Sequence, residues 1–254
     1  MTLISASGHQ FDVSCIVFDK DGTLLDLDFT WGPRTASWIR ALANLTSGDI
    51  SQLEYFSQAI GYNWTNQQIL PDGPLSVTTA QKLVTLSAGA LYQQGFPWHE
   101  AEHLAVKTIF ETMASPFRAD EIRPVGDVKG TIQRLKDAGL VLAVATGDDR
   151  EPTESTLALL GIVDDMAVVV CGDDPLPEKP DPAALFHIES QIGISTKRML
   201  MVGDSVNDML TGRNASVAGC IGINSSTGDP LKLADHADVI LPSIEQLTVI
   251  ESTY

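Results

Sequence analysis

Two aspartates separated by one residue could form a catalytic pair near the start of the chain. Residues 19–23 read Asp-Lys-Asp-Gly-Thr and directly follow a short apolar run that is typical of a buried strand. Side chains two residues apart in extended backbone project to the same side, so Asp19 could act as a nucleophile while Asp21 transfers protons. Gly22 would let the backbone approach a ligand closely, and Thr23 would fix the loop by a local hydrogen bond. The alternative is an ordinary surface turn, because Asp, Gly and Thr are common turn residues.

Later segments place further polar side chains after apolar runs or before a helix. Thr146 and Gly147 follow one apolar run, Lys179 precedes a helical pattern, and Asp204 and Asp208 follow another run. The carboxyl ends of parallel strands share one edge of a sheet, so we expect these side chains to meet the first two aspartates in one pocket. Singly, each has a simpler interpretation as a helix cap, a solvated charge or a turn residue. The ordered set favours a site.

In their order, these motifs resemble those of the haloacid dehalogenase superfamily of phosphohydrolases. The resemblance covers the whole chain and implies an α/β fold, a doubly wound parallel sheet with an inserted α-helical cap domain. The core is then expected at residues 1–26 and 119–254, and the cap at residues 27–118. Within the superfamily, the general layout and the cap position are most similar to those of phosphoglycolate phosphatase-like members.

The resemblance also implies a role for each carboxylate. Asp19 would attack phosphorus and form an aspartyl-phosphate, and Asp21 would protonate the leaving alcohol and then activate water. Mg²⁺ would be held by Asp19, by Asp204 and by the main-chain carbonyl of Asp21. Asp208 would lie outside the metal ligands and orient a metal-bound water or Lys179.

A second group of residues would hold the phosphoryl oxygens. Lys179 would pair with those oxygens and with Asp19, which it would keep ionised, while Thr146 would donate its hydroxyl and its backbone N–H. Main-chain amides of the first loop would add further donors. The residues expected to bind phosphate are Gly22, Thr23, Thr146, Gly147 and Lys179.

Secondary-structure patterns agree with that fold class. Short apolar runs predict strands at residues 13–18, 140–145, 167–170, 199–202, 220–223 and 239–241, and amphipathic patterns predict helices at 128–140, 153–160, 183–192 and 207–216. The inserted region has few strand-like runs. Its helical patterns lie at residues 35–45, 50–60, 75–92 and 98–113, and Gly32-Pro33 is predicted as a break before the first of them.

Composition restricts the partners. The 254 residues carry 33 acidic and 16 basic side chains and a formal charge of -17, which argues against nucleic acid as a partner. No apolar stretch is long enough to span a bilayer, and the first ten residues do not read as a signal peptide. Three widely spaced cysteines, Cys15, Cys171 and Cys220, are predicted to be buried thiols in a cytoplasmic protein. No interface patch can be isolated, so the oligomeric state stays open.

Two departures from the family pattern concern the loops of the site. Many relatives have Asn after the second-motif Thr or Ser, whereas Gly147 is followed here by Asp148 and Asp149. Near an anion either carboxylate would be repulsive, so we favour the interpretation that they cap the following helix. Lys20 is the second variable feature; it could face the pocket entrance, pair with a cap residue, or be solvated at the surface.

The expected function is Mg²⁺-dependent hydrolysis of a small phosphorylated metabolite, with 2-phosphoglycolate as the first candidate. The alternatives are a phosphomutase of the β-phosphoglucomutase type and a non-catalytic phosphoester-binding module. Specificity would come from the inserted helices, because the core holds only the phosphoryl group. The candidates for contacts to the leaving group are Lys20, Trp31, Arg34, His99, His103, Lys107 and Arg118, although a Trp or His on a helix is more often a core or solvated residue.

Overall fold

The chain divides into two compact units. A computed structural model describes residues 2–71, 73–224 and 230–250; the ends of the predicted core domain, residue 1 and residues 251–254, lie outside the described residues. The first unit comprises Met1–Asp26 and Arg118–Tyr254, and the second comprises Leu27–Phe117.

The strands are β1 (Thr2–Ala6), β2 (His9–Val13), β3 (Cys15–Phe18), β4 (Tyr62–Asn63), β5 (Gln68–Ile69), β6 (Val141–Ala145), β7 (Val168–Val170), β8 (Met199–Gly203), β9 (Gly219–Ile223), β10 (Val239–Leu241) and β11 (Thr248–Ile250). The helices are α1 (Leu27–Asn44), α2 (Ile50–Ile60), α3 (Pro74–Val77), α4 (Ala80–Gln93), α5 (Trp98–Met113), α6 (Val128–Asp137), α7 (Arg150–Leu160), α8 (Ala183–Ile192), α9 (Val206–Asn214) and α10 (Pro230–Ala234).

A parallel sheet organises the first unit. Within the described residues it has six strands in the order β10-β9-β8-β3-β6-β7. The chain starts this sheet at β3, then builds outward through β6 and β7 on one side and through β8, β9 and β10 on the other. Ligands bind open α/β sheets at such a reversal of strand order, beside the carboxyl ends of the strands. The predicted doubly wound sheet is confirmed.

Each face of the sheet is covered by helices because the strands are apolar on both sides. In β3, Ile16 and Phe18 join one core cluster, which also contains Ile132 of α6 and Leu157 of α7. The alternate residues Cys15 and Val17 join a second cluster, to which α8 contributes Leu185 and Ile188 and α9 contributes Met209. Continuous apolar strands are typical of parallel sheets buried on both faces.

A small antiparallel sheet extends the first unit and was not predicted. It pairs β1 with β2 and with β11. The turn at Ser7 and Gly8 has positive φ at both residues, 46° and 87°, as a type I′ hairpin turn requires. The strand predicted at residues 13–18 is therefore divided: β2 ends at Val13, Ser14 bends, and β3 begins at Cys15.

The second unit is helical and has its own core. Helices α1, α2, α4 and α5 bury a cluster that includes Trp38, Phe56 and Leu91, and β4 and β5 form a short hairpin. Two predictions are corrected here. Gly32-Pro33 lies inside α1, where the buried face of the helix offsets the hydrogen bond that proline cannot donate. The helix predicted at 75–92 is interrupted at Thr78 and Thr79, whose backbone is extended.

The cysteine prediction is confirmed, because Cys15, Cys171 and Cys220 are buried and free. In the described parts of the chain, none of the helices combines the length and apolarity that a membrane span needs.

Candidate active site

The nucleophile candidate lies at the centre of the parallel sheet. Phe18, the last residue of β3, lies opposite Val144 of β6 and Val202 of β8. Asp19 comes next, and its N–H donates to the Val202 carbonyl at 2.8 Å. The loops that follow β6 and β8 therefore flank Asp19 at the reversal of strand order, as the sequence predicts.

Lys179 connects two aspartates across this edge. Its Nζ lies 2.7 Å from Asp19 Oδ1 and 2.5 Å from Asp208 Oδ1, and it donates to the Ala145 carbonyl at 2.9 Å. Burial raises the pKa of Asp19 to about 7, against the influence of Lys179, which lowers it. The influence of Lys179 has the predicted direction, since it favours the ionised form of Asp19, but burial opposes it.

Asp208 caps the start of α9 and also contacts Lys179. Its Oδ2 accepts hydrogen bonds from Ser205 N at 3.1 Å and Ser205 Oγ at 2.6 Å, while Ser205 Oγ accepts from Asp208 N at 3.2 Å. This reciprocal arrangement caps the start of α9. Since its Oδ1 contacts Lys179, both oxygens of Asp208 are engaged within the protein. That agrees with a position outside the ligands of a metal.

Asp204 completes an acidic cluster that could hold a metal ion. Ligand atoms of Asp19, Asp204 and Asp208 lie within 4.8 Å of one another. Burial raises the pKa of Asp204 well above its ordinary value, and the negative charges of Asp19 and Asp208 raise it further. A hard cation with oxygen ligands fits this donor set and would relieve the repulsion, which makes the residues present compatible with Mg²⁺.

Lys20 is fully buried, which corrects the interpretations that placed it at the surface or at a pocket entrance. Its Nζ lies 2.5 Å from Asp21 Oδ2 and 3.0 Å from Asp148 Oδ2. Although burial lowers it, these two carboxylates raise the pKa of Lys20 above its ordinary value. Burial raises the pKa of Asp148 to about 6, against the effect of Lys20. Lys20 therefore does not serve as a solvent-facing contact to a leaving group.

The capping prediction for the following helix is right in the position of Asp149 but not in its hydrogen bond. Asp149 occupies the N-cap position of α7 without a capping hydrogen bond from its side chain. Asp173, which lies after β7, accepts from the Arg150 N–H instead, at 3.0 Å. Asp148 accepts from the Asp149 N–H at 2.9 Å and directs its other oxygen to Lys20. Sequence reasoning missed this role of Asp148, although the two departures from the family pattern, the aspartates after Gly147 and the lysine at position 20, were its signals.

Thr146 is buried, and only one of its two predicted phosphate donors, the hydroxyl, is free of the sheet. Its backbone N–H donates to the Val170 carbonyl at 3.0 Å, so that N–H is engaged in the sheet, and the predicted phosphate contact is left to the hydroxyl. The hydroxyl oxygen accepts from Asp148 N at 3.2 Å. Next to it, Gly147 has no atom of the described residues within 4 Å of where a side chain would begin.

The loop after Asp19 is closed by its own backbone. The Lys20 carbonyl accepts from Leu24 N at 2.8 Å and from Leu25 N at 3.0 Å, and the Gly22 N–H donates to the Leu25 carbonyl at 2.7 Å. The Gly22 amide is thus engaged within the loop, which corrects its prediction as a phosphate donor. The Thr23 hydroxyl is buried and has no hydrogen-bond partner among the described residues, so it does not fix the loop as expected.

Gly22 instead makes room for the acidic cluster of Asp19, Asp204 and Asp208. Its φ is +82°, and a Cβ placed there would lie 1.9 Å from Oδ2 of Asp204. An L side chain is strained at this φ, and this one would also collide with a carboxylate. The glycine is therefore required by the position of Asp204.

The arginine candidates for substrate contact have structural partners. Arg34 in the second unit donates to the carbonyls of Met113, Ser115 and Pro116, and its guanidinium lies 3.6 Å from the centre of the Phe117 ring. It ties the segment after α5 to α1. In the first unit, exposed Arg118 pairs with Asp120 at 3.1 Å and Glu121 at 3.3 Å. Substrate contact stays a prediction for both arginines.

Comparison with known proteins gives a consistent result. The model of a protein family described as "haloacid dehalogenase-like hydrolase" matches residues 13–216. The phosphoglycolate phosphatase of Agrobacterium fabrum is 27% identical over 238 residues, covering 91% of this chain and 89% of the relative. Two solved structures each cover 92% of this chain and have 95% of their own chain covered. One is a "predicted phosphoglycolate phosphatase" from Haemophilus somnus (TM-score 0.64, 21% identity), the other a HAD phosphatase from Thermococcus onnurineus (TM-score 0.61, 18% identity). At these identities, the structural likeness shows the fold.

Proposed function

The chain belongs to the haloacid dehalogenase-like hydrolase family and is a phosphatase, and we propose that it hydrolyses a small phosphate monoester through an aspartyl-phosphate, with 2-phosphoglycolate as the first candidate substrate. The observation that carries this proposal is the contact between Lys179 and Asp19 at the strand-order reversal, with Asp21 two residues away. A relative of that activity is similar over nine tenths of the chain, which supports the choice of substrate.

In the first step, a carboxylate oxygen of Asp19 attacks phosphorus and the bond from phosphorus to the ester oxygen breaks. Asp21, protonated, gives its proton to the departing alcohol. In the second step, Asp21 takes a proton from water, the water oxygen attacks the phosphorus of the aspartyl-phosphate, and Asp19 is regenerated with release of phosphate. Protons balance over the cycle, because Asp21 loses one in the first step and recovers it in the second.

Lys179 and Thr146 would hold the transferring group. The ammonium of Lys179 is already placed at Asp19, so it would meet a phosphoryl group that approaches the same carboxylate. The hydroxyl of Thr146 would donate to another phosphoryl oxygen, since its backbone N–H is engaged with Val170. Fixed donors of this kind stabilise charge that develops in the transition state.

The charges of the site support a requirement for Mg²⁺. Lys20 and Lys179 face five carboxylates, those of Asp19, Asp21, Asp148, Asp204 and Asp208. Two like unit charges about 4 Å apart repel by roughly 4 kcal/mol at an effective dielectric constant of 20, and a phosphate ester adds further negative charge. Asp19 and Asp204, with the Asp21 carbonyl, would hold the ion. When bound, Mg²⁺ supplies positive charge beside the phosphoryl oxygens.

Location and leaving-group recognition stay predictions. The buried, free state of the three cysteines supports the predicted cytoplasmic location. The helical second unit is proposed to supply the contacts that select the leaving group.

The proposed function is tested by a panel of phosphate esters. We expect purified protein with Mg²⁺ to release inorganic phosphate from several small esters, with a kcat/KM for 2-phosphoglycolate at least about tenfold above the others, because a relative similar over nine tenths of the chain is a phosphoglycolate phosphatase. Phosphate is measured colorimetrically, and an Asp19→Asn preparation controls for contaminating phosphatases. Absence of phosphate release from the whole panel would contradict the proposal. Isomerised sugar phosphate without free phosphate would establish the mutase alternative.

Replacing Gly22 by alanine is expected to lower kcat/KM by at least about a hundredfold, because the new methyl group displaces the Asp204 carboxylate and small misplacements in a site have effects of that size. Gly139→Ala is the matched control. Gly139 also has a φ of +82°, but apart from its chain neighbours no described residue has an atom within 4 Å of its Cβ position. Both variants should lose thermal stability through backbone strain, by about 1 kcal/mol. Equal rates for the two variants would show that Asp204 does not depend on Gly22.

A further inference from the structure

The buried lysine in the first motif calls for a physical reason. Lys20 has no exposed surface, and lysine is almost never fully buried unless it is paired. Desolvating an ammonium and its carboxylate partners costs several kcal/mol per ion, and an apolar side chain of similar volume would often be neutral or more stable at such a position. The ion pair is therefore weak as a stabilising device. The buried ammonium instead fixes the positions of the carboxylates that it contacts.

Those partners are Asp21, the proton donor of the proposed mechanism, and Asp148. The Lys20 ammonium lies within 3.0 Å of a carboxylate oxygen of each. Its own backbone is anchored, because the Lys20 carbonyl accepts hydrogen bonds from Leu24 N and Leu25 N. The Lys20 side chain therefore extends from a fixed backbone, and its ammonium holds the Asp21 carboxylate in one position.

Asp148 is anchored in the loop that follows β6, the strand beside β3. Its Oδ1 accepts from Asp149 N at 2.9 Å, its N–H donates to Thr146 Oγ1 at 3.2 Å, and its carbonyl accepts from Gly172 N at 2.7 Å. Both ends of the ion pair are therefore held by backbone. Through Thr146, this arrangement also connects the Asp21 loop to the residue proposed to hold a phosphoryl oxygen.

We propose that Lys20 and Asp148 are a positioning pair that orients the Asp21 carboxyl group toward the ester oxygen of the substrate. This inference rests on the proposed function, since it assigns to Asp21 the transfer of a proton to the leaving group. Both residues act through Asp21, since the carboxylates of Asp21 and Asp148 surround the buried ammonium of Lys20. A permanently charged, buried lysine is suited to this task because it restricts the rotation of the carboxylate it contacts.

The proposal can be tested by comparing esters whose leaving groups differ in basicity. An alkyl ester departs as a strongly basic alkoxide and needs the proton from Asp21, whereas a nitrophenyl ester departs as a stable phenolate and does not. The parameter kcat/KM covers the steps up to loss of the leaving group, and the later hydrolysis of the aspartyl-phosphate is common to both esters. A misplaced Asp21 therefore lowers kcat/KM for the alkyl ester selectively. A general loss of structure lowers both values together.

The experiment compares Lys20→Met, Asp148→Asn and the double variant with the wild type, using an alkyl phosphate and p-nitrophenyl phosphate. We expect kcat/KM for the alkyl ester to fall at least about tenfold more than for the aryl ester, a part of the factor of about 10² to 10⁴ that proton transfer contributes. The double variant should resemble Lys20→Met, because the two residues act as one unit. Lys20→Arg, which keeps the charge, should recover part of the selective loss.

Lys136→Met is the matched control, since Lys136 forms an ion pair with Asp165 at 2.5 Å outside the site and should leave both rates unchanged. Circular dichroism and thermal unfolding verify that each variant folds, and Asp148→Asn carries the test if Lys20→Met does not. An equal loss for both esters, or no loss, would overturn the positioning pair while leaving the phosphatase proposal intact. A wild type that hydrolyses neither ester would overturn the proposed function, and the positioning pair with it.

Discussion

Asp19→Asn is expected to lower the rate of phosphate release by at least about a thousandfold, since an amide oxygen cannot form the acyl-phosphate on which the mechanism depends. Asp19 has the central place in the site, at the end of the middle strand β3 and in contact with Lys179. Asp164→Asn is the matched control, because it makes the same chemical change at an exposed position in the first unit.

We expect the Asp19 variant to fold, because the neutral amide costs less to bury than an ionised carboxylate. Burial raises the pKa of Asp19 to about 7 from an ordinary value near 3.8, so the ionised carboxylate opposes folding once the pH exceeds its unfolded value. Its replacement by a neutral amide removes that cost at pH 8, and Lys179 keeps Asp208 and the Ala145 carbonyl as partners. The metal-free variant should therefore unfold at the same temperature as the wild type or higher.

A covalent readout distinguishes loss of the nucleophile from loss of binding. With a substrate labelled in its phosphoryl group, acid quenching of the wild type should retain label on the protein, and the Asp19 variant should retain none. Activity of the variant above a few per cent of the wild type, or label on the variant, would contradict the assignment of Asp19.

Much of the fold could be predicted because parallel strands buried on both faces have a simple signature. The runs that became β6, β8 and β9 are short, apolar and bounded by turns, and their predicted limits differ from the observed ones by one residue at one end. The β1-β2 hairpin has a weaker signal. Its strand residues are mixed in polarity, and its turn pair, Ser7 and Gly8, is a general turn signal that is not among the pairs most typical of hairpins.

The contacts of Lys20 could not be predicted from sequence for a physical reason. A lysine between two aspartates after a strand is most often solvated, and its burial depends on a partner 128 positions away in the chain. Only the parallel pairing of β3 with β6 brings the loop of Asp148 beside that of Lys20. The capping of α7 by Asp173 has the same origin, because it requires the neighbouring strand β7.

Asp204→Asn is expected to abolish the effect of Mg²⁺ on the protein. A ligand at about 100 times its Kd stabilises the folded state by about 2.7 kcal/mol, which corresponds to a rise in Tm of roughly 5 °C or more for a chain of this size. The wild type should show that rise at pH 8, and the Asp204 variant should not. Phosphate release by the variant should fall at least about a hundredfold.

Without metal, the order of stabilities should reverse. Burial raises the pKa of Asp204 well above its ordinary value, so its ionised form destabilises the folded state at every pH above the unfolded pKa. The metal-free Asp204 variant should therefore have a higher Tm than the wild type at pH 8, and this difference should shrink as the pH falls to about 4. Thermal unfolding with a chelator and with Mg²⁺, at both pH values, measures the two effects in one experiment.

Comparison of Asp208→Asn with Asp204→Asn shows which of the two carboxylates binds the ion, because both lie in the same acidic cluster. Its two oxygens already contact Lys179 and Ser205, so we expect its replacement to weaken the Mg²⁺ shift without abolishing it. Loss of the shift in the Asp208 variant, together with its persistence in the Asp204 variant, would exchange the two assignments. Persistence of the full shift in both would place the ion elsewhere and would remove the physical argument for metal dependence at this edge of the sheet.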